Sequence, residues 1–350
     1  MIGHGAVLSR IGRAALAGGL LATVAACSSS GGATPTPAAS CACSTPTAAV
    51  TPTAAVASAG ATANSTASGQ GGAVVAWGDD SQGQTTVPAG LTGVVAIAAG
   101  DEFSLALKSD GTVVGWGAND AGQATPPAGL SGVVAISGGS SHAIALKSDG
   151  TVVGWGDNTY GQATPPAGLA SVVAISAGGD HSLALKSDGT VVTWGTDYNG
   201  EAPVPAGLHD VIGISAGYDY SMAVLKDGTV VAWGDKYPTD TSISLVKVPS
   251  GLSGVTAASA GYYHSLVLES DGTVASWGND ADGAVTVPSG LSGVTAVAAG
   301  GDFSLALKSD GTVVGWGSNA TGSLTFPATL KNVIAIDAGG AFALAIVSHS

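Results

Sequence analysis

The residues able to do chemistry here are few and unevenly placed. The chain has 350 residues, with seven tyrosines, six histidines and three cysteines. All the tyrosines fall between Tyr160 and Tyr263. Tyr160, Tyr198, Tyr218, Tyr237, Tyr262 and Tyr263 stand in polar, loop-like stretches, with Asp157, Asp180, Asp197 and Asp219 among them. Tyrosine supplies contact area at small entropic cost and keeps a polar tip, which suits a surface that grips a protein or a glycan. The expected contacts are Tyr160, Tyr198, Tyr218, Asp219, Tyr237, Tyr262 and Tyr263. The plainer reading is that loop tyrosines only decorate a solvated surface. His142, His181 and His264 invite a metal reading, but ligands must converge within about 2.1 Å of one ion. They belong to a series in which Phe or Tyr fills the same place, so they read as structural. No nucleophile elbow appears, and no glycine-rich phosphate loop opens a helix. Paired acids such as Asp79-Asp80 have no histidine set beside them. No catalytic residue, metal ligand or cofactor is expected.

Charge narrows the partners. The formal net charge is −14 at pH 7. Both arginines, Arg10 and Arg13, lie near the N-terminus, and all 24 acids lie at or beyond Asp79. Such a body repels phosphate backbones, so nucleic acid is excluded. A basic protein partner fits the charge.

The N-terminal residues read as an address. Arg10 and Arg13 precede an uncharged apolar run at 14–26, too short to span a bilayer comfortably. The run ends in Val24-Ala25-Ala26-Cys27. This resembles a bacterial lipobox, which implies cleavage before Cys27 and lipid attachment to it. An ordinary signal peptide with an incidental cysteine is the alternative. Residues 28–72 are rich in Thr, Pro, Ala and Ser, with no charge and no aromatic ring. They cannot bury enough apolar surface to offset chain entropy, so they read as a disordered tether. Cys41 and Cys43 within it are too close to bridge each other readily. The expected organisation is a signal peptide over 1–27, a tether over 28–72 and a folded body over 73–350. The location expected is the outer face of a bacterial membrane, with the lipid as the only membrane contact.

The elements that must position the tyrosines come from a repeat. Trp-Gly occurs at Trp77, Trp116, Trp155, Trp194, Trp233, Trp277 and Trp316, at spacings of 39, 39, 39, 39, 44 and 39. A glycine at 100, 139, 178, 217, 261, 300 and 339 keeps the same spacings. Three residues after each comes a ring: Phe103, His142, His181, Tyr220, His264, Phe303 and Phe342. Within one unit, Val133-Val134-Ala135-Ile136-Ser137 and Ala143-Ile144-Ala145-Leu146-Lys147 are strand-like. Asp149-Gly150 then forms a hairpin turn into Thr151-Val152-Val153-Gly154-Trp155. About four short strands per unit, seven times, predict an all-β seven-bladed propeller. The body starts with the last part of a unit and ends with the first part. One blade is therefore expected to be shared by the two ends of the domain, closing the ring. An open solenoid would not explain those complementary halves.

Gly178 to Gly200, GGDHSLALKSDGTVVTWGTDYNG, resembles the repeat of the regulator of chromosome condensation family, and the resemblance covers 73–350. The short unit, as in WGDDSQGQTTVPAGL, is most similar to a bacterial secreted branch that includes propeller-type β-lactamase inhibitory proteins. For that branch the resemblance implies aromatic contacts in the two places after the repeat glycine. Of the seven pairs here, only Tyr218-Asp219 and Tyr262-Tyr263 carry any. The eukaryotic members exchange guanine nucleotides on a small GTPase and bind chromatin. This chain has no basic tail, and its only insertion is the five residues near 236–246, so that activity is not expected. The expected function is a lipid-anchored, monomeric binding module acting outside the cytoplasm. The alternatives are a β-lactamase-type inhibitor and a propeller lyase or hydrolase with its site in the central channel.

Overall fold

A computed structural model of the protein describes residues 71–234 and 244–348. The signal segment with Cys27, the tether with Cys41 and Cys43, and Tyr237 lie outside the described residues. Every described element is a β-strand, and the strands form seven antiparallel three-stranded sheets. The second blade shows the plan. Its inner strand is Val133–Gly138, its middle strand His142–Lys147 and its outer strand Val152–Gly156. The middle strand is buried along its first five residues, because it has a sheet neighbour on each side and a blade on each face. Asp149-Gly150 closes the hairpin. Gly150 takes φ of 79°, where a side chain would be strained, and Asp149 accepts bonds from the Thr151 amide and hydroxyl.

The fourth strand expected in each unit is absent from the described residues. After Trp155-Gly156 the chain runs through turns to Val172. Pro165 and Pro166 have no amide hydrogen to offer a ladder, and Gly161 and Gly168 turn the chain with positive φ. The piece therefore packs as an irregular outer edge.

The inner strands of successive blades neighbour one another, and the inner strand of the last blade meets that of the first. The last blade joins the two ends of the domain. Ala73–Gly78 pairs with Phe342–Val347, which pairs with Val333–Ala338. Two faces result. One carries the Asp-Gly hairpins between middle and outer strands. The other, called the rim here, carries the turns after the repeat glycines and the loops after Trp-Gly. The Asp157 amide donating to Ser141 O ties those two rim features together.

The seven tryptophans are buried, and each indole Nε1 donates to a backbone carbonyl of the loop before its blade, as Trp116 does to Gln84 O at 2.8 Å. The ring residues make blade-to-blade contacts. His142 Nε2 meets Ser182 Oγ, His181 Nε2 meets Ser221 Oγ and His264 Nε2 meets Ser304 Oγ, each at 2.9 Å. Tyr220 OH reaches Ser265 Oγ. After Phe103 and Phe303, the same register in the next blade holds Ala143 and Ala343. Polar ring and hydroxyl thus go together in these blades, as do apolar ring and methyl, while the register after Phe342 holds Ser104. Burial pushes His142 down to about 4, His181 to about 3 and His264 to about 4.

Candidate functional site: the rim and the axial mouth

The rim is organised by the repeat glycines. A Cβ on Gly139 would lie 2.4 Å from Gly178 O and 2.4 Å from the His142 ring. Only glycine lets adjacent blades approach this closely. The approach closes a belt of backbone hydrogen bonds around the axis: Asp101 N to Gly139 O, Ser140 N to Gly178 O, Gly179 N to Gly217 O, then Tyr218 N to Gly261 O. It continues through Tyr262 N to Gly300 O and Gly301 N to Gly339 O, and ends with Gly340 N to Asp101 O. Inside it lies an open depression lined from all seven blades.

The residue after each repeat glycine is held by this belt through its backbone, and its side chain varies except where, as at Gly179 and Gly301, a Cβ would lie 2.4 Å from the next blade's carbonyl. Tyr218 and Tyr262 occupy two such places. Their ring centroids are 5.0 Å apart, and Tyr263 stacks edge-on to Tyr262 at 6.2 Å. The Tyr262 hydroxyl donates to Asp101 Oδ1, three blades away around the ring. A Cβ on Gly301 would lie 3.6 Å from the Tyr262 ring, and one on Gly340 would lie 2.7 Å from its hydroxyl. Tyr262 thus passes over two glycines to reach its acceptor, and this fixes the cluster in place. Burial and the Asp101 carboxylate push the Tyr262 hydroxyl well above the ordinary tyrosine value. Tyr218 is raised by burial and then by Asp180, Asp219 and Asp101.

The structure brings Tyr218, Asp219, Tyr262 and Tyr263 together. Tyr160 and Tyr198 lie on the same face in the loops after Trp-Gly, outside the middle strands. Exposure is 58 % for Tyr160, 76 % for Tyr198, 36 % for Tyr218 and 47 % for Tyr263. The turns after the repeat glycines contain no Lys or Arg. Their carboxylates repel one another. Asp180 is raised by burial and Asp157, and Asp302 by burial and Asp282. On the hairpin face, lysines offset the acids, as in Lys108–Asp110 at 3.0 Å and Lys147–Asp149 at 3.1 Å.

Asp101 was missed as part of this cluster. Its signal was an acid in a rim position that elsewhere holds Ser, Gly or Tyr. Asp337 was missed too. It replaces the serine whose hydroxyl accepts the next blade's amide, as Ser137 Oγ does from Ala177 N. Asp337 Oδ2 accepts from Ala99 N, and burial raises its pKa to about 7. Among the described residues, no group of three His, Cys, Asp or Glu is placed to hold a metal ion.

A closed seven-bladed ring with a variable rim defines a repeat propeller. Six segments, 94–123, 133–162, 172–201, 211–236, 255–284 and 294–322, match the regulator of chromosome condensation (RCC1) repeat and together span half the chain. The chain belongs to that family. A search of curated proteins found no matching sequence. Among solved structures it is similar to Prp20p of Saccharomyces cerevisiae, at 21 % identity and a TM-score of 0.68, covering 81 % of this chain and 93 % of that one. It is also similar to human WBSCR16, at 20 % identity and 0.62, covering 79 % and 98 %. The ectodomain of the Physcomitrella patens receptor kinase CR4 matches at 24 % identity and 0.59, covering 69 % and 67 %. At these identities the likeness is one of fold.

Proposed function

We propose that this protein is an exported binding module, held at the membrane by a lipid on Cys27, that engages a basic protein through its rim. The observation that carries the reading is the Tyr218–Tyr262–Tyr263 cluster, fixed by the bond to Asp101 and set among the acids of turns that hold no lysine or arginine. Rigid aromatic area with a polar tip is the usual anchor of a protein interface. The surrounding negative field attracts a cationic partner and speeds encounter. The fold is compatible with such a role, since the Prp20p structure is described with its binding to Gsp1p and histones.

The test is affinity capture on the immobilised full chain. The input is envelope and secreted proteins, with class A β-lactamases added as defined candidates. A stoichiometric basic partner is expected, bound at least about 30-fold more weakly by the Tyr218→Ala/Tyr262→Ala/Tyr263→Ala variant. Equal binding by that variant overturns the rim assignment. Capture and inhibition of a β-lactamase instead make the protein an inhibitor. In cells, lipid labelling that survives Cys27→Ser overturns the anchor.

A further inference from the structure

The loop after each Trp-Gly ends in a residue whose backbone carbonyl accepts the next tryptophan's indole. In three blades that residue is a glutamine: Gln84, Gln123 and Gln162. Its Oε1 accepts the amide two residues earlier, as Gln162 does from Tyr160 N at 2.9 Å. Its Nε2 is then left to donate. Gln162 Nε2 donates to Asp157 Oδ2 at 2.7 Å and reaches Asp180 Oδ1 at 3.4 Å. Gln84 Nε2 donates to Asp79 Oδ2. The amide is thus the hydrogen-bond donor between carboxylates that would otherwise only repel.

The next repeat breaks this arrangement by one atom. Glu201 stands where the glutamines stand, and it is 0 % exposed. Its Oε2 accepts Asn199 N at 2.7 Å, in the role of the glutamine oxygen. Its Oε1 occupies the place of the amide nitrogen, is buried, and has no hydrogen-bond partner. The counterpart of Asp180 in this register is Asp219. The charges acting on Glu201 are Asp219 and Asp197, both negative. A buried oxygen with no donor costs roughly 1–3 kcal/mol, and more if it is charged.

We propose that Glu201 carries a proton in the folded protein, so that its neutral carboxyl takes the place of the glutamine amide and donates towards Asp219. Deprotonation sets two carboxylates against each other in a place built for a donor, and it loosens loop 196–200 against the 218–219 turn. The rim is then pH-sensitive on one side, where Tyr198 and Tyr218 lie. The consequence for partner binding rests on the function proposed above; the proton itself does not.

The direction follows from the chemistry. Burial holds Glu201 above its ordinary value, with Asp219 and Asp197 adding to the rise. A raised acid contributes its stability fully below its unfolded pKa and loses it as pH rises through the folded one. Glu201→Gln supplies the amide that the neighbouring blades already use, so it is expected to fold. The experiment is thermal unfolding of the full chain and of Glu201→Gln and Asp219→Asn from pH 4 to 8. Hydrogen exchange of the peptides covering 196–200 and 218–219 is measured alongside. Glu201→Gln is expected to match the wild type at pH 4 and melt progressively higher than it towards pH 8. Exchange in the two peptides should rise with pH beyond the intrinsic rate in the wild type alone. Asp219→Asn should narrow the gap. A gap that does not change with pH overturns the proposal. So does a wild type that calcium or sodium stabilises at pH 8 while Glu201→Gln ignores the ion, because the donor is then a cation. None of these readouts needs a partner, so their failure is separate from failure of the binding reading.

Discussion

The hairpin face repeats Asp-Gly at Asp110, Asp149, Asp188, Asp227, Asp271 and Asp310, and four of these aspartates pair with a lysine two residues earlier. The rim turns run from Asp101-Glu102 to Gly340-Ala341, and only Gly-Asp occurs twice among the seven pairs. The difference lies in what holds each turn. A hairpin turn needs its own side chain and its glycine to shape the backbone. A rim turn is already held by the belt of hydrogen bonds between blades. Its side chains are released from structural duty, and there the acids and tyrosines collect.

Interior changes, which both faces share, sharpen this contrast most. Trp155 packs with Phe103, Leu105 and Ile136 between two blades. Trp155→Ala should cost about 3–5 kcal/mol in chemical denaturation. The triple tyrosine change on the rim should abolish partner binding yet move the denaturation midpoint far less. Equal losses from the two would end the division between scaffold and rim.

The ring histidines come next. Each is held neutral by burial, so between about pH 4 and 6.5 the unfolded chain takes up protons that the folded chain refuses. Stability therefore rises with pH across that window, by up to about 1.4 kcal/mol per unit per histidine. Asp337 works in the opposite sense. Raised to about 7, it costs stability as pH climbs from its ordinary range towards neutrality. Asp180, Glu201 and Asp302 are raised in the same sense, so the histidines' rise with pH is what survives against all four acids. His142→Phe should flatten it and cost about 1 kcal/mol near neutral pH. Adding Ser182→Ala copies the Phe103/Ala143 combination and should restore most of that loss. A pH profile unchanged by His142→Phe would show that the ring does not titrate.

The smallest effect belongs to the hairpin face. Lys108→Ala removes one exposed ion pair, and its small loss should shrink further as salt is added. A measurable change in partner binding would show that recognition is not confined to the rim.

Much of this was legible from register alone. Seven Trp-Gly pairs and the half-units at the two ends specified the ring, its blade count and its closure. The count of four strands per unit was one too many, since the prolines and turning glycines of TTVPAGL-type segments forbid a ladder. The tyrosines could be placed on one face, but the bond from Tyr262 to Asp101 could not be foreseen. Its partners are 161 positions apart and meet only because the circle closes. Glu201 and Asp337 were visible as exceptions to their columns. Their meaning needed the neighbouring atoms, a missing donor in one case and a borrowed amide in the other.

The seventh blade is stitched rather than continuous, and the missing stitch is a hairpin turn. Val347 and Ala73 lie opposite each other where every other blade has Asp-Gly or its loop. Both ends of the domain therefore leave from the same side. A tether at either end would leave from the back of the ring and keep the rim facing away from it, like the open side of a dish.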